Sequence, residues 1–256
     1  MQSESRSNPP IFANTITFIG GGNMARSLIG GLVAHGQPPE SIHVAEPHEP
    51  FRAALAHDFS VQVHADNLEA AAAGSVWVFA VKPQIMRPVA EALAEVAQRN
   101  RPLLISIAAG VTSHQLEHWL GGHLPVVRTM PNTPALLGAG VTGLFGNALV
   151  SVQQRHFADE LLRATGLTVW IDDEAHMDAV TAVSGSGPAY VFLLAEAMQE
   201  AGEAQGLSDD AARTLALQTI YGAALMLVES REPASMLRQR VTSPGGTTQA
   251  AIESFE

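Results

Sequence analysis

Up to about residue 173 the chain alternates short apolar runs with stretches of helical period, and beyond it the runs disappear. Residues 15–19, 42–45 and 75–81 are compact apolar runs of strand length. Residues 23–35, between the first two, gather their apolar side chains on one helical face. The run Ser75-Val76-Trp77-Val78-Phe79-Ala80-Val81 is apolar at nearly every position, which suits a parallel strand covered on both faces. Further strands are predicted at 61–63, 103–107, 125–127, 141–145 and 167–171, with helices at 67–73, 83–100, 112–120 and 151–165. Pro88 is expected in the first turn of the second of these helices. This alternation predicts a doubly wound α/β domain over residues 1–173, with residues 1–13 as a flexible leader.

From residue 174 onward every periodic stretch reads as helix: 178–183, 188–205, 209–230 and 234–240. Ser186-Gly187-Pro188 and Leu207-Ser208-Asp209 supply helix-start residues. One helix carries Tyr190, Val191, Leu193, Leu194, Ala197 and Met198, and the next carries Leu215, Ile220, Ala224, Leu225 and Leu227. Helices apolar around so much of their circumference need burial on several sides, more than this short helical segment supplies. Residues 174–256 are therefore expected to form a helical dimerisation domain, and the protein a homodimer; burial within one chain is the alternative.

Composition narrows the chemistry. The 256 residues contain no cysteine, which excludes disulfides, thiol catalysis and thiolate metal sites. A formal charge of −11 argues against nucleic acid as a partner. No uninterrupted apolar stretch approaches ~20 residues and the leader is polar, so a cytoplasmic protein with no membrane association is expected. His114 and His118 share a helix face, but no third ligand is evident and no metal is expected.

Two loops carry candidate chemistry. After the first strand come Gly20, Gly21 and Gly22, and then a helix in which Ala25 allows close packing, a pattern that fits a dinucleotide pyrophosphate turn. The helix N-terminus would face the phosphates. The second strand ends at Glu46, roughly 25 residues beyond the turn, where an acid hydrogen-bonds the ribose 2′-OH and repels a 2′-phosphate. The alternatives are a ligand-free glycine loop and a solvated acid. Lys82 is the single lysine among 14 basic residues and follows the central strand, at the carboxyl edge where such sheets bind ligands. Its bland reading is a solvated loop lysine. The second loop, Ser243-Pro244-Gly245-Gly246-Thr247-Thr248, feeds a helix over 249–255 and offers a second set of N–H groups to an anion. Plain N-capping is the alternative role for its threonines.

Three further blocks complete a recognisable set: Arg128-Thr129-Met130-Pro131-Asn132-Thr133-Pro134, Ala182-Val183-Ser184-Gly185-Ser186-Gly187-Pro188-Ala189-Tyr190, and Val241-Thr242 leading into the second loop. With the glycine turn and Phe79-Ala80-Val81-Lys82-Pro83, they resemble the pyrroline-5-carboxylate reductase family, in this order, from about Thr15 to the last residue. The resemblance implies a Rossmann-type doubly wound sheet followed by an all-helical dimerisation domain. It also implies NADPH or NADH as cofactor and reduction of a small cyclic imine to L-proline, with dimers assembling further into rings.

Site residues follow from the same resemblance. Ile19, Gly20, Gly22, Asn23 and Met24 form the pyrophosphate turn, and Asn67 lies beside the adenosine. Ala80, Val81, Lys82 and Pro83 line the ribose and phosphate path, while Ser106, Ala108 and Ala109 approach the nicotinamide and Asn132 is a weaker candidate. Ser243, Gly245, Gly246, Thr247, Thr248 and Glu174 form the substrate pocket, the Thr248 hydroxyl serving catalysis as a hydrogen-bond partner of the ring nitrogen. Direct hydride transfer to an already electrophilic iminium needs positioning more than acid strength.

Glu46 departs from the small polar residue of many relatives, which points to good use of NADH, although His48 or Arg52 could still meet a phosphate. Residues 252–256 end inside a helix where relatives continue into another helical segment. Two readings of other classes stand beside this one. A β-hydroxyacid dehydrogenase would place a lysine on the interdomain helix, and residues 178–205 contain none. A dinucleotide sensor without turnover would need no second anion loop.

Overall fold

The computed structural model describes residues 14–255, so the leader expected at 1–13 lies outside the described residues. The chain divides into two compact units, 1–188 and 189–256. The first therefore runs past residue 173, where the sequence pattern changes.

The first unit is built on an eight-stranded sheet of order β3-β2-β1-β4-β5-β6-β7-β8. Its first half comprises β1 (Ile16–Ile19), α1 (Asn23–Ala34), β2 (Ile42–Ala45), α2 (Glu49–Phe59), β3 (Gln62–His64), α3 (Asn67–Ala73), β4 (Val76–Phe79) and α4 (Pro83–Asn100). Then come β5 (Leu103–Ser106), α5 (Ser113–Trp119), β6 (Val126–Met130), β7 (Gly140–Gly146), α6 (Val152–Arg163), β8 (Gly166–Trp170) and α7 (Met177–Val180). Strands β1 to β6 are parallel, β7 runs antiparallel to β6, and β8 is parallel to β7. That reversal is not foreshadowed by the apolar pattern, which encodes which face a strand buries but not its direction.

Both faces of the parallel sheet are covered, which explains the continuous apolar runs. Val76 and Val78 point into one core with Leu28, Ile29 and Leu32 of α1, Leu55 of α2, and Phe157 and Leu161 of α6. Trp77 and Phe79, on the other face, meet Ala70 of α3, Met86 and Leu93 of α4, and Leu116 of α5. Fully burying each such large side chain stabilises the fold by about 1.5–3 kcal/mol. Pro83 opens α4, and Pro88, expected in the first turn, sits further inside the helix.

The helix expected over 178–183 is two elements: α7 ends at Val180 and a π-helical turn, Thr181–Gly185, follows. One extra residue per turn is a backbone choice that side-chain period does not signal.

The second unit contains most of α8 (Gly187–Ala204), then α9 (Asp209–Glu229), α10 (Ala234–Arg240) and α11 (Thr247–Glu253). Ser208 caps α9 by accepting the Ala211 N–H, and Gln199 reaches from α8 to Asp209 at 2.7 Å. Only Ala212 and Ala216 of α9 are buried, whereas Tyr190, Phe192, Leu193, Tyr221, Met226 and Val228 lie exposed, the last at 83 %. By length and composition α9 could cross a membrane, with a mean hydropathy of 1.3.

Candidate active site

The carboxyl ends of β1, β2 and β4 converge on the glycine turn. The Gly20 N–H donates to the Ala45 carbonyl at 2.9 Å, and the Ala80 N–H donates to the Ile19 carbonyl at 2.8 Å. Gly20 has φ +102°, and a Cβ there would lie 2.9 Å from the Ala80 oxygen, so only glycine fits. Gly22 caps α1 without a side chain, and a Cβ built on it would meet nothing within 4 Å. The first turn of α1, beginning at Asn23 and Met24, thus presents uncapped N–H groups and the positive end of its dipole to open space. Such a cradle fits the pyrophosphate of a dinucleotide.

Glu46 closes the adjoining side. It is only 9 % exposed; its Oε2 accepts the Gly21 N–H at 3.1 Å and its Oε1 accepts the His48 N–H at 2.9 Å. Arg52 is turned onto backbone instead, its Nη1 donating to the carbonyls of Glu46 at 2.8 Å and Pro47 at 3.1 Å. The His48 ring packs against Phe51 with centroids 4.7 Å apart. Asn67 opens α3 behind Asp66, whose carboxylate accepts the Leu68 and Glu69 N–H groups. Lys82 is exposed at the N-cap of α4, followed by Pro83 at the first helical position. Ile19, Ala80 and Val81 complete this edge of the sheet.

The segment after β5 is held from several sides. The Ser106 carbonyl accepts the Thr129 hydroxyl at 2.9 Å, the Ser106 hydroxyl accepts the Ala108 N–H at 3.3 Å, and the Ile107 N–H donates to Phe79 at 3.1 Å. Ala109 and Gly110 follow, and then Thr112 caps α5 in a capping box with Gln115.

Glu174 is spent within the first unit. Its Oε1 accepts the Ser113 N–H at 2.6 Å and faces the Arg128 guanidinium at 3.4 Å, and its Oε2 accepts the Ser113 hydroxyl at 2.7 Å. Arg128, whose side chain is 6 % exposed, also meets Asp178 at 3.3 Å. Gly110, Thr112, Arg128, Glu174, Ala175 and Asp178 line a cavity of about 350 Å³. Ser113, Arg128 and Asp178 have no assigned role in the sequence; the strand expected at 125–127 extends to Met130, which puts the Arg128 charge inside β6, where burial demands a partner. Asn132 is occupied structurally, accepting the Val141 N–H at 3.0 Å and donating to the Ser184 carbonyl at 3.2 Å.

In the second unit, Ser243 to Thr248 form a tight turn. The Gly246 N–H donates to the Ser243 carbonyl at 3.0 Å, and the Gly245 N–H donates to the Gln249 side chain at 2.8 Å. The helix starts at Thr247, two residues before the expected 249, with Gly246 as N-cap and no side-chain cap. Thr247 and Thr248 are therefore first-turn residues, not caps.

Residues 174–256 match the sequence model described as pyrroline-5-carboxylate reductase dimerisation, and residues 15–110 match that of NADP oxidoreductase, coenzyme F420-dependent. A pyrroline-5-carboxylate reductase of Pseudomonas aeruginosa is 54 % identical over 241 residues, covering 94 % of this chain and 88 % of that one. The chain belongs to the pyrroline-5-carboxylate reductase family. Among solved structures, a pyrroline-5-carboxylate reductase from Coxiella burnetii superposes with a TM-score of 0.88 at 43 % identity, covering 95 % of this chain and 90 % of that one. The Plasmodium falciparum pyrroline carboxylate reductase with NADP bound gives 0.84 at 31 % identity, over 94 % and 89 %. In a pyrroline-5-carboxylate reductase, the broad apolar faces of α8 and α9 are those of a homo-oligomer.

Proposed function

We infer that this protein reduces 1-pyrroline-5-carboxylate to L-proline, the last step of proline biosynthesis, with NADPH or NADH as cofactor. The observation that carries this reading is the uncapped N-terminus of α1 behind Gly20 and Gly22, a ready dinucleotide cradle, in a chain so similar to reductases of this substrate. Ile19, Gly20, Gly22, Asn23 and Met24 hold the pyrophosphate, Asn67 the adenosine, and Ala80, Val81, Lys82 and Pro83 the path between them. Ser106, Ala108 and Ala109 give the nicotinamide a wall of fixed backbone. Bound nicotinamide supplies the hydride that the imine carbon accepts.

Substrate binding falls to Ser243, Gly245, Gly246 and Thr247, whose N–H groups suit a carboxylate. The Thr248 hydroxyl is the hydrogen-bond partner of the ring nitrogen, orienting the ring without titrating. Glu46, with both oxygens tied to backbone N–H groups, sets a fixed negative charge where a 2′-phosphate would lie and favours NADH. Residues 1–173 serve as the cofactor domain and 174–256 as the dimerisation and substrate domain. The exposed faces of α8 and α9 support a homodimer, with rings of dimers as the higher assembly, and cover by a partner subunit rather than by lipid. The protein is assigned to the cytoplasm.

The test is oxidation of NADH and NADPH on addition of pyrroline-5-carboxylate, run beside six-membered piperideine carboxylate. Faster turnover of the five-membered ring supports the reading. Cofactor binding without turnover of either imine overturns it in favour of a sensor.

A further inference from the structure

We propose that Glu174 and Arg128 are positioning residues that fix residues 106–113 as a rigid ledge. The inference rests on the reading that Ser106, Ala108 and Ala109 meet the nicotinamide.

This segment leaves β5 and enters α5, and it carries Gly110 at φ +75°. A glycine-bearing loop of this length would ordinarily be the most mobile part of a sheet edge. Here it is staked at both ends. At the strand end, the Thr129 hydroxyl holds the Ser106 carbonyl at 2.9 Å and the Phe79 carbonyl takes the Ile107 N–H at 3.1 Å. At the helix end, Glu174 takes both the N–H and the hydroxyl of Ser113, at 2.6 and 2.7 Å.

Glu174 is itself held. It opens the short helical turn Glu174–His176, where Asp173 accepts the Ala175 N–H and where Met177 next in the chain is fully buried. Arg128 lies behind the carboxylate, almost wholly desolvated, and its Nη1 donates to the Glu174 Oε1 at 3.4 Å, which keeps that side chain aimed at α5. Thr129 and Arg128 are neighbours on β6, so one strand secures both stakes: one directly through Thr129, the other through Arg128 and Glu174. A displacement of about 1 Å in a group that positions a reacting ring can cost about 10²-fold in rate. The clamp therefore acts on turnover more than on cofactor affinity, which resides in the glycine turn.

The experiment compares the full-length enzyme with Glu174→Ala and Glu174→Gln by backbone hydrogen exchange and by steady-state kinetics. The Gln side chain keeps an acceptor for the Ser113 N–H and a donor for its hydroxyl. In Glu174→Ala, exchange is expected to quicken about 10-fold at residues 107–113 with α1 unchanged. Its kcat is expected to fall about 10²-fold with KM for the cofactor within about 3-fold of wild type, and Glu174→Gln to recover most of both. If Glu174→Ala yields no folded protein, Ser113→Ala, which deletes the hydroxyl bond alone, is expected to show the same local pattern at smaller amplitude. Exchange like wild type in the 107–113 segment, or faster exchange throughout the unit, overturns the proposal. So does a rise of well over 3-fold in cofactor KM, or a fall in kcat that the Gln variant does not rescue. A wild-type enzyme that does not reduce the imine overturns the proposed reaction instead, and the exchange comparison still decides the clamp.

Discussion

Glu46 and Gly21, 25 positions apart, are joined by a hydrogen bond of 3.1 Å from the Gly21 N–H to the Glu46 carboxylate. The acid that would meet the adenosine ribose is thus also part of the pyrophosphate turn. Its second oxygen binds the His48 N–H, so the carboxylate cannot swing aside to admit a phosphate without breaking two bonds.

Replacing Glu46 with serine removes the negative charge and frees both N–H groups. The ratio of kcat/KM for NADPH to that for NADH is expected to rise by about 10²-fold, the scale of a relieved like-charge contact of several kcal/mol. Kinetics with both cofactors measure it, and an unchanged ratio would show that Glu46 does not discriminate.

Gly20→Ala places a Cβ 2.9 Å from the Ala80 oxygen on a backbone with φ +102°. The cost is expected to be about 1–3 kcal/mol in chemical unfolding, accompanied by weaker NADH binding in a fluorescence titration. Substitution without loss of either would remove the turn from the account.

Thr248→Ala is expected to lower kcat by about 10²-fold while the dissociation constant for NADH stays within about 3-fold, as the role proposed for the hydroxyl, on substrate and not cofactor, requires. Unchanged turnover would end the assigned role. Thr248→Ser, which keeps the hydroxyl, is expected to retain most activity.

His43 supplies a pH dependence. Burial, and then repulsion from His64, lower its pKa below the ordinary 6.5, and its Nδ1 lies 2.9 Å from the His64 Nε2. The unfolded chain takes up a proton near pH 6.5 while the folded chain resists, so stability is full above that value and declines as the pH falls below it. Thermal unfolding scanned from about pH 7.5 to about 5.5 should show this decline, and His43→Gln should flatten it. Equal slopes in the two proteins would contradict the assignment.

Much of the first unit could be read directly from apolar pattern, because β1, β4 and β5 are buried on both faces and glycines mark the turn at Gly20. The reversed direction of β7 could not, since alternation carries no polarity. Nor could the π-helical turn after Val180, whose side chains keep an ordinary helical look. At the site, the turn, Glu46 and the second loop were visible as local motifs. The contact of Glu174 with Ser113 was not, for the two lie 61 positions apart and only the tertiary fold brings them together. Nor was Arg128, which falls just beyond the strand expected at 125–127 and becomes a buried charge only because β6 runs on to Met130. The start of α11 moved to Thr247 because Gln249 reaches back to the Gly245 N–H and lets Gly246 serve as cap.

Reduction of a five-membered cyclic imine carboxylate by a nicotinamide cofactor is read from the stoichiometry of NADH consumed to L-proline formed when the purified protein is given pyrroline-5-carboxylate. One proline is expected for each NADH oxidised, with both slowed together by about 10²-fold in Thr248→Ala. NADH oxidation without proline, or no oxidation at all with either NADH or NADPH, would contradict it.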